Sequence, residues 1–306
     1  MKNKTIGIPR AFLYYRYKIL WENFFNALGY KIIVSDITTK ETIEIGKTLS
    51  IDEACLSSKI FLGHVYNLKN KCDYILIPRV CDYGKGEKVC VKFNATYDIV
   101  KNLFPDINIL EYNLETTKHS PEFISLIKLG IKLNHNPIKV IISYIKAKNK
   151  EKQYEKSKIK QQQLKLKSKK KKILLVSHPY NTYDNYIGDP IIKILEKFDI
   201  EILYSDNIDK KTSKKYAKNL SPTLYWTYSK EIIGSIEYYK NHIDGIIFIT
   251  SFPCGPDSLV NELLIRKITD IPTLNLIIDE LTSETGIETR LESFVDIIKG
   301  ECNNVC

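Results

Sequence analysis

The stretch Asp244-GIIFITSFPCGPD-Ser258 opens as an apolar run, Gly245 to Thr250, with none of the polar alternation of a half-buried strand. Such a run reads as a strand buried on both faces, which calls for a parallel sheet covered by helices. Leu259 to Thr269 then reads as an amphipathic helix. Cys254 therefore stands between a strand's C-terminal end and a helix N-terminus, flanked by Pro253 and Gly255. Ligands of open α/β sheets bind at that edge, and a helix N-terminus favours a thiolate.

Outward from this stretch the chain alternates strand-like and helix-like segments twice over. Thr5–Arg10 and Tyr30–Ser35 read as strands around a helix over 11–28 that Gly29 stops. A short helix is expected at 41–47, and a second from Ser50 or Asp52 to Leu68, with Glu53 and Cys55 in its first turn. Asp73–Arg79 is a third strand, ending at Val80-Cys81, and a loop with Gly84 and Gly86 leads to Cys90 and a helix through Phe104. Ile107–Tyr112 is a fourth strand, and 121–150 is helical. The second half repeats this order: strands at 172–177, 200–205, 244–250 and 273–279, with helices at 190–197, 229–241 and 288–298. The expected fold is α/β, with two domains whose parallel sheets face each other across a cleft. The expected boundaries are 1–145, a Lys-rich linker or helix extension at 146–172, 173–300, and a tail at 301–306 that holds Cys302.

The net charge of +10 belongs to one place. Residues 146–172 carry 13 lysines against two glutamates, a local +11, so the rest of the chain stands at −1. A stretch with no arginine and a single aromatic serves base stacking poorly, so nucleic-acid binding ranks last. No signal-peptide pattern and no apolar run of about 18–20 residues is present, and a cytoplasmic protein without a membrane span is expected. Seven cysteines in such a chain read as metal or redox ligands before disulfides. Cys55, Cys81, Cys90 and Cys254 fall toward one sheet edge, whereas Cys72 precedes the third strand at the other. Without a CxxC pair the spacing is not that of a zinc ribbon, but iron–sulfur clusters accept thiolates from scattered positions.

Several segments together resemble the activase-related, 2-hydroxyacyl-CoA dehydratase-like proteins. They are IGIPRAFLYYRYKILWENFFNALGYKIIVSD (6–36), DEACLSSKIFLGHVYNL (52–68), YILIPRV (74–80), CVKF (90–93), HPY (178–180), FPCGPDSLVNEL (252–263) and ETGIETRLESFVDI (284–297). The resemblance implies two Rossmann-like domains with a [4Fe–4S] cluster, or a larger double-cubane one, between them. It implies Cys55, Cys90 and Cys254 as ligands; Cys81 stands where other members often have no cysteine, but its place after the third strand suits it as a fourth candidate ligand. It further implies low-potential electron transfer under anaerobic conditions, an ATP-dependent activase or a ferredoxin as electron donor, and a dehydratase subunit as partner. The chain has no GxxxxGK[ST] and no glycine-rich phosphate loop, so ATP hydrolysis is not expected of it.

His178, directly after a strand, is a candidate proton donor, although shaping the turn before Pro179 is the commoner use of such a residue. Arg10 and Arg79 each follow an Ile-Pro pair at a strand end, where they would hold an anionic cluster or a CoA phosphate, or an ion pair with Asp279 or Glu280. A metal-free nucleotide or acyl-CoA binding module is the alternative function.

Overall fold

The computed structural model describes residues 4–300; Cys302 and the rest of the 301–306 tail lie outside the described residues. The chain divides into two compact units. One runs up to Lys156 and takes in Tyr225–Thr227; the other runs from Ser157 and takes the rest.

The first unit contains β1 (Thr5–Ile8), α1 (Tyr14–Leu28), β2 (Lys31–Val34), α2 (Lys40–Thr48), α3 (Leu56–Leu68), β3 (Tyr74–Asp82), α4 (Val91–Leu103), β4 (Ile109–Glu115), α5 (Glu122–Lys132) and the first part of α6 (Pro137–Leu166). The second holds the end of α6, then β5 (Lys171–Val176), α7 (Pro179–Thr182), α8 (Gly188–Leu195), β6 (Ile200–Tyr204), α9 (Lys210–Leu220), α10 (Thr227–Tyr239) with its first residue in the other unit, β7 (Gly245–Ser251), α11 (Gly255–Lys267), β8 (Thr273–Ile278) and α12 (Glu284–Lys299).

Each unit is a four-stranded parallel sheet in the same order, β2-β1-β3-β4 and β6-β5-β7-β8. The internal repeat is therefore a repeat of fold, and the Rossmann-like α/β class follows. β7 sits between β5 and β8, and all seven of its residues are buried, which is why its sequence carries no alternation. Gly245 opens β7 because a Cβ there would come within 2.4 Å of the Ile298 side chain on α12.

Right-handed crossovers fix which helices share a face. In the first unit the connections β2 to β3 and β3 to β4 both step the same way across the sheet, so α3 and α4 lie side by side on one face. α1, which steps the other way, covers the opposite face with α6; there Lys139 donates to Leu28 O (3.2 Å) and Lys150 to Asn23 Oδ1 (2.7 Å). The same reasoning puts α11 on one face of the second sheet, and α8 with its packing partner α12 on the other.

The Lys-rich stretch is helical through Leu166. In the second unit its residues cover the open edge of β6. Gln162 donates to Tyr204 O (2.8 Å) and accepts from Tyr204 N (2.8 Å), as a neighbouring strand would, and Lys165 donates to Ile202 O (3.0 Å). An edge strand left bare is a template for aggregation, so the amide and amine side chains here perform an edge-covering role. Among the described residues no helix is long and apolar enough to cross a membrane.

Some element limits differ from the sequence expectation. The helix expected from Ser50 or Asp52 starts only at Leu56: Ser50 Oγ donates to Gly46 O (2.6 Å), closing α2, and Ile51–Ala54 form a turn. The helical region expected over 121–150 breaks at Asn134, which is left-handed (φ 62°), and restarts at Pro137. α9 was not anticipated, because its apolar face is only Tyr216, Ala217 and Leu220 among lysines; Asp209 caps it by accepting from Lys211 N and Thr212 N.

Candidate functional site

Three cysteines occupy the same kind of position. Cys55, Cys90 and Cys254 are the N-cap residues of α3, α4 and α11, all half-buried, and none of the three side chains caps its own helix. Each of these helices leads from the C-terminal edge of its sheet, so each thiol stands at that edge. Cys72, by contrast, precedes β3 at the opposite edge and donates to Leu68 O (3.5 Å).

Sheet register identifies counterparts between the units. β1 pairs Ile6 with Tyr74, and β5 pairs Ile173 with Gly245. In that frame the counterpart of Cys81 is Phe252, and the structural counterpart of Cys254 is Cys90, since both cap the helix after the third strand. Setting the two halves side by side by sequence alone would match Cys81 to Cys254, because the first unit carries an extra loop, Tyr83 to Val89, ahead of its helix.

Cys81 lies within β3 beside Arg79 on one face. Cys81 Sγ donates to Asn94 Oδ1 (2.9 Å), and Arg79 Nε donates to the same oxygen (3.2 Å). Burial pushes the Cys81 thiol up, and the Glu115 carboxylate pushes it further, so this cysteine behaves as a protonated donor. The neighbouring Asp82 faces inward and is fully buried. Burial opposes its charge, but donors on Thr117 and the Lys88 ammonium outweigh that and hold its carboxyl below the usual range.

The loop that carries Cys90 is held from outside its own segment. Lys88 N donates to Tyr225 O and Thr227 N to Lys88 O, both at 2.8 Å, so Tyr225–Thr227 forms a parallel bridge two residues before Cys90.

The arginines are engaged differently. Arg10 N donates to Ser35 Oγ (2.8 Å) and its Nε to Ser35 O (3.0 Å). Ser35 in turn meets His64 Nδ1 at 2.9 Å, while Thr38 Oγ1 meets Nε2 at 2.9 Å. His64 is fully buried, and burial, with Arg10 nearby, pulls its pKa down to about 3, so the ring is neutral. Arg79 pairs with Asp98 on α4 at 3.8 Å. Asp279 is occupied in its own turn, accepting from Leu281 N and Thr282 Oγ1 at 2.9 and 2.7 Å.

His178 lies where β5 ends, beside the start of α11. Its Nε2 is 2.7 Å from Asp257 Oδ1, and both residues are 6% exposed. Tyr180 stacks on the ring at 5.0 Å, and Tyr228 meets it edge-on at 5.7 Å. Behind this pair runs a buried hydroxyl–amide chain: Asn181 donates to Ser177 Oγ, Ser251 Oγ to Asn181 Oδ1, and Asn261 to Thr250 Oγ1. The carboxylate partner of His178 escaped the sequence reading; the only available signal was the acidic residue in the first turn after Cys254.

Thiols at helix N-termini provide soft, anionic donors suited to iron or zinc. Among the described residues no three His, Cys, Asp or Glu side chains gather closely enough to hold a metal ion.

The chain resembles the SBP FpvC of Pseudomonas aeruginosa in complex with Ni2+ at 10% identity, with all of both chains covered and a TM-score of 0.30. It also resembles a sugar transporter from Clostridium phytofermentans at 13% identity, with 98% of this chain and 94% of that chain covered and a TM-score of 0.20. Likeness at that level carries no argument about function. No curated protein matches. A family match is found over residues 5–208, more than half of the sequence and inclusive of Cys55, Cys81, Cys90 and His178, and by it the chain belongs to the family described as the CoA enzyme activase uncharacterised domain.

Proposed function

We propose that this chain is an iron–sulfur protein of a 2-hydroxyacyl-CoA dehydratase-type system, with Cys55, Cys90 and Cys254 as cluster ligands. The observation that carries the reading is the shared placement of those three thiols, each half-buried at a helix N-cap on a sheet's C-terminal edge. A thiolate there is favoured by the helix dipole and by orphan backbone N–H groups. Membership of a CoA enzyme activase family supports the link to CoA-ester chemistry. Cys81, committed to Asn94, is the thiol least suited to join the ligand set.

When bound, a [4Fe–4S] or double-cubane cluster would supply one-electron redox chemistry at low potential. The chain's own residues would hold and shield it. Arg10, at the end of β1, offers positive charge to an anionic cluster or a CoA phosphate. His178, oriented by Asp257, is the candidate proton donor or acceptor. With no phosphate loop in the sequence, ATP hydrolysis falls to a separate activase, and a ferredoxin is the other candidate donor. A reducing cytoplasm is the compartment in which such thiols persist.

Anaerobic reconstitution with iron and sulfide tests the proposal. The expected product is brown, with stoichiometric iron and sulfide, and Cys55→Ser, Cys90→Ser and Cys254→Ser each lower its iron content while Cys81→Ser does not. Protein that stays free of iron overturns the reading; if it then binds acyl-CoA, a metal-free binding module takes its place.

A further inference from the structure

Phe12 has a backbone conformation that its side chain does not favour. Its φ is 46°, in the left-handed region, although it is a bulky residue only 4% exposed. Such a conformation persists only where the surroundings over-determine it. Two rings on neighbouring helices are part of those surroundings. Phe12 stacks on Phe61 of α3 with centroids 5.1 Å apart and planes at 23°, and meets Phe93 of α4 edge-on at 5.0 Å and 69°. Both geometries are the favoured arrangements of aromatic pairs.

The location gives the contact its meaning. Phe12 follows β1 and precedes α1, which lies on the opposite face of the sheet. The left-handed turn directs its ring away from its own helix and in between α3 and α4. Phe93 is in the first turn of α4, three residues from Cys90, and Cys90 O accepts the N–H of Phe93 at 3.0 Å. Phe61 is on the same α3 that Cys55 caps, and Cys55 O accepts from Ser58 N and Lys59 N at 2.8 and 3.1 Å. Neither cysteine is fixed by a capping bond from its own side chain. What lies between α3 and α4 bears directly on the separation of the two N-caps.

We propose that Phe12 is a positioning residue that fixes the spacing of the Cys55 and Cys90 thiols by wedging between α3 and α4. The inference rests on the reading that these two thiols act on one ligand, and it supplies the device that holds them in register. A smaller side chain at this position lets the helices slide past one another without unfolding the sheet, and the thiols are no longer held within one reagent's reach.

The test uses full-length protein in which Cys72, Cys81, Cys254, Cys302 and Cys306 are serine, leaving Cys55 and Cys90. A bifunctional thiol reagent that fluoresces only after both ends have reacted is compared with a monofunctional one. The expected result is a loss of bridging rate of about fivefold or more in Phe12→Gly, with monofunctional labelling and circular dichroism unchanged. Phe12→Leu, which retains apolar bulk, is the second variant, and an intermediate loss is expected of it. Bridging that is equal in wild type and both variants overturns the proposal, as does wild-type protein that does not bridge. Iron uptake by the native protein is read separately: no iron together with Phe12-dependent bridging sinks the cluster and leaves the wedge standing.

Discussion

His64 has both ring nitrogens on hydroxyl groups in a site closed to water, and its neutral form is what the fold needs. The folded ring binds a proton less well than the unfolded one, about 3 against 6.5. Its contribution to stability is thus fully present above pH 6.5 and drains away as pH falls toward 3, by about 1.4 kcal/mol per pH unit within that window. Urea unfolding at pH 7 and pH 5 should show wild type losing more stability than His64→Gln; equal losses would mean that the ring is solvated. At the same scale, the sequence made the helix-start positions of Cys55, Cys90 and Cys254 legible, because turn-to-helix boundaries are local signals. It did not reveal the His178–Asp257 pair, whose members are 79 residues apart and meet only when β5 and β7 lie side by side. Nor did it reveal that Arg79 is paired with Asp98, which depends on the face that β3 turns toward α4.

Among the elements, α6 changes most between sequence and structure. Its composition reads as a solvated, basic helix or linker, and nothing in a lysine- and glutamine-rich run specifies an edge strand as its neighbour. In the structure Gln162 completes the hydrogen bonds of Tyr204, whose N–H and C=O would otherwise face outward from β6. Gln162→Ala should cost about 1–2 kcal/mol, the worth of two hydrogen bonds to half-buried backbone groups, and should raise the tendency to aggregate through β6. Chemical denaturation and light scattering check both effects; a change under about 0.5 kcal/mol would mean that water replaces the amide without loss. Helices α2 and α3 make the complementary point. Gly46 and Gly63 allow their backbones to touch, since a Cβ at either would come within about 2 Å of a carbonyl oxygen of the other helix. A glycine in mid-helix looks like a weakness until the crossing it permits is known.

For the molecule as a whole, the doubled β-α order was readable because buried parallel strands announce themselves as apolar runs, and the same sheet order in both units follows from it. The serines at the ends of β2 and β6 repeat as well. Ser35 N donates to Ile8 O and Ser205 N to Leu175 O, while their hydroxyls accept from Arg10 N and Ser177 N. Unit membership was less legible, since Lys156 and Ser157 are consecutive residues of one helix yet belong to different units.

The bridge at Lys88 bears on how the chain can be cut. A fragment ending at Lys156 would retain β1 to β4 but lack Tyr225 and Thr227, the two partners of the Lys88 backbone. In the intact chain the Lys88 amide should resist deuterium exchange, and in the fragment it should exchange at a loop-like rate; similar protection in both would make the bridge dispensable. A gene split between two reading frames at that junction would need the later product to return three residues to the earlier one.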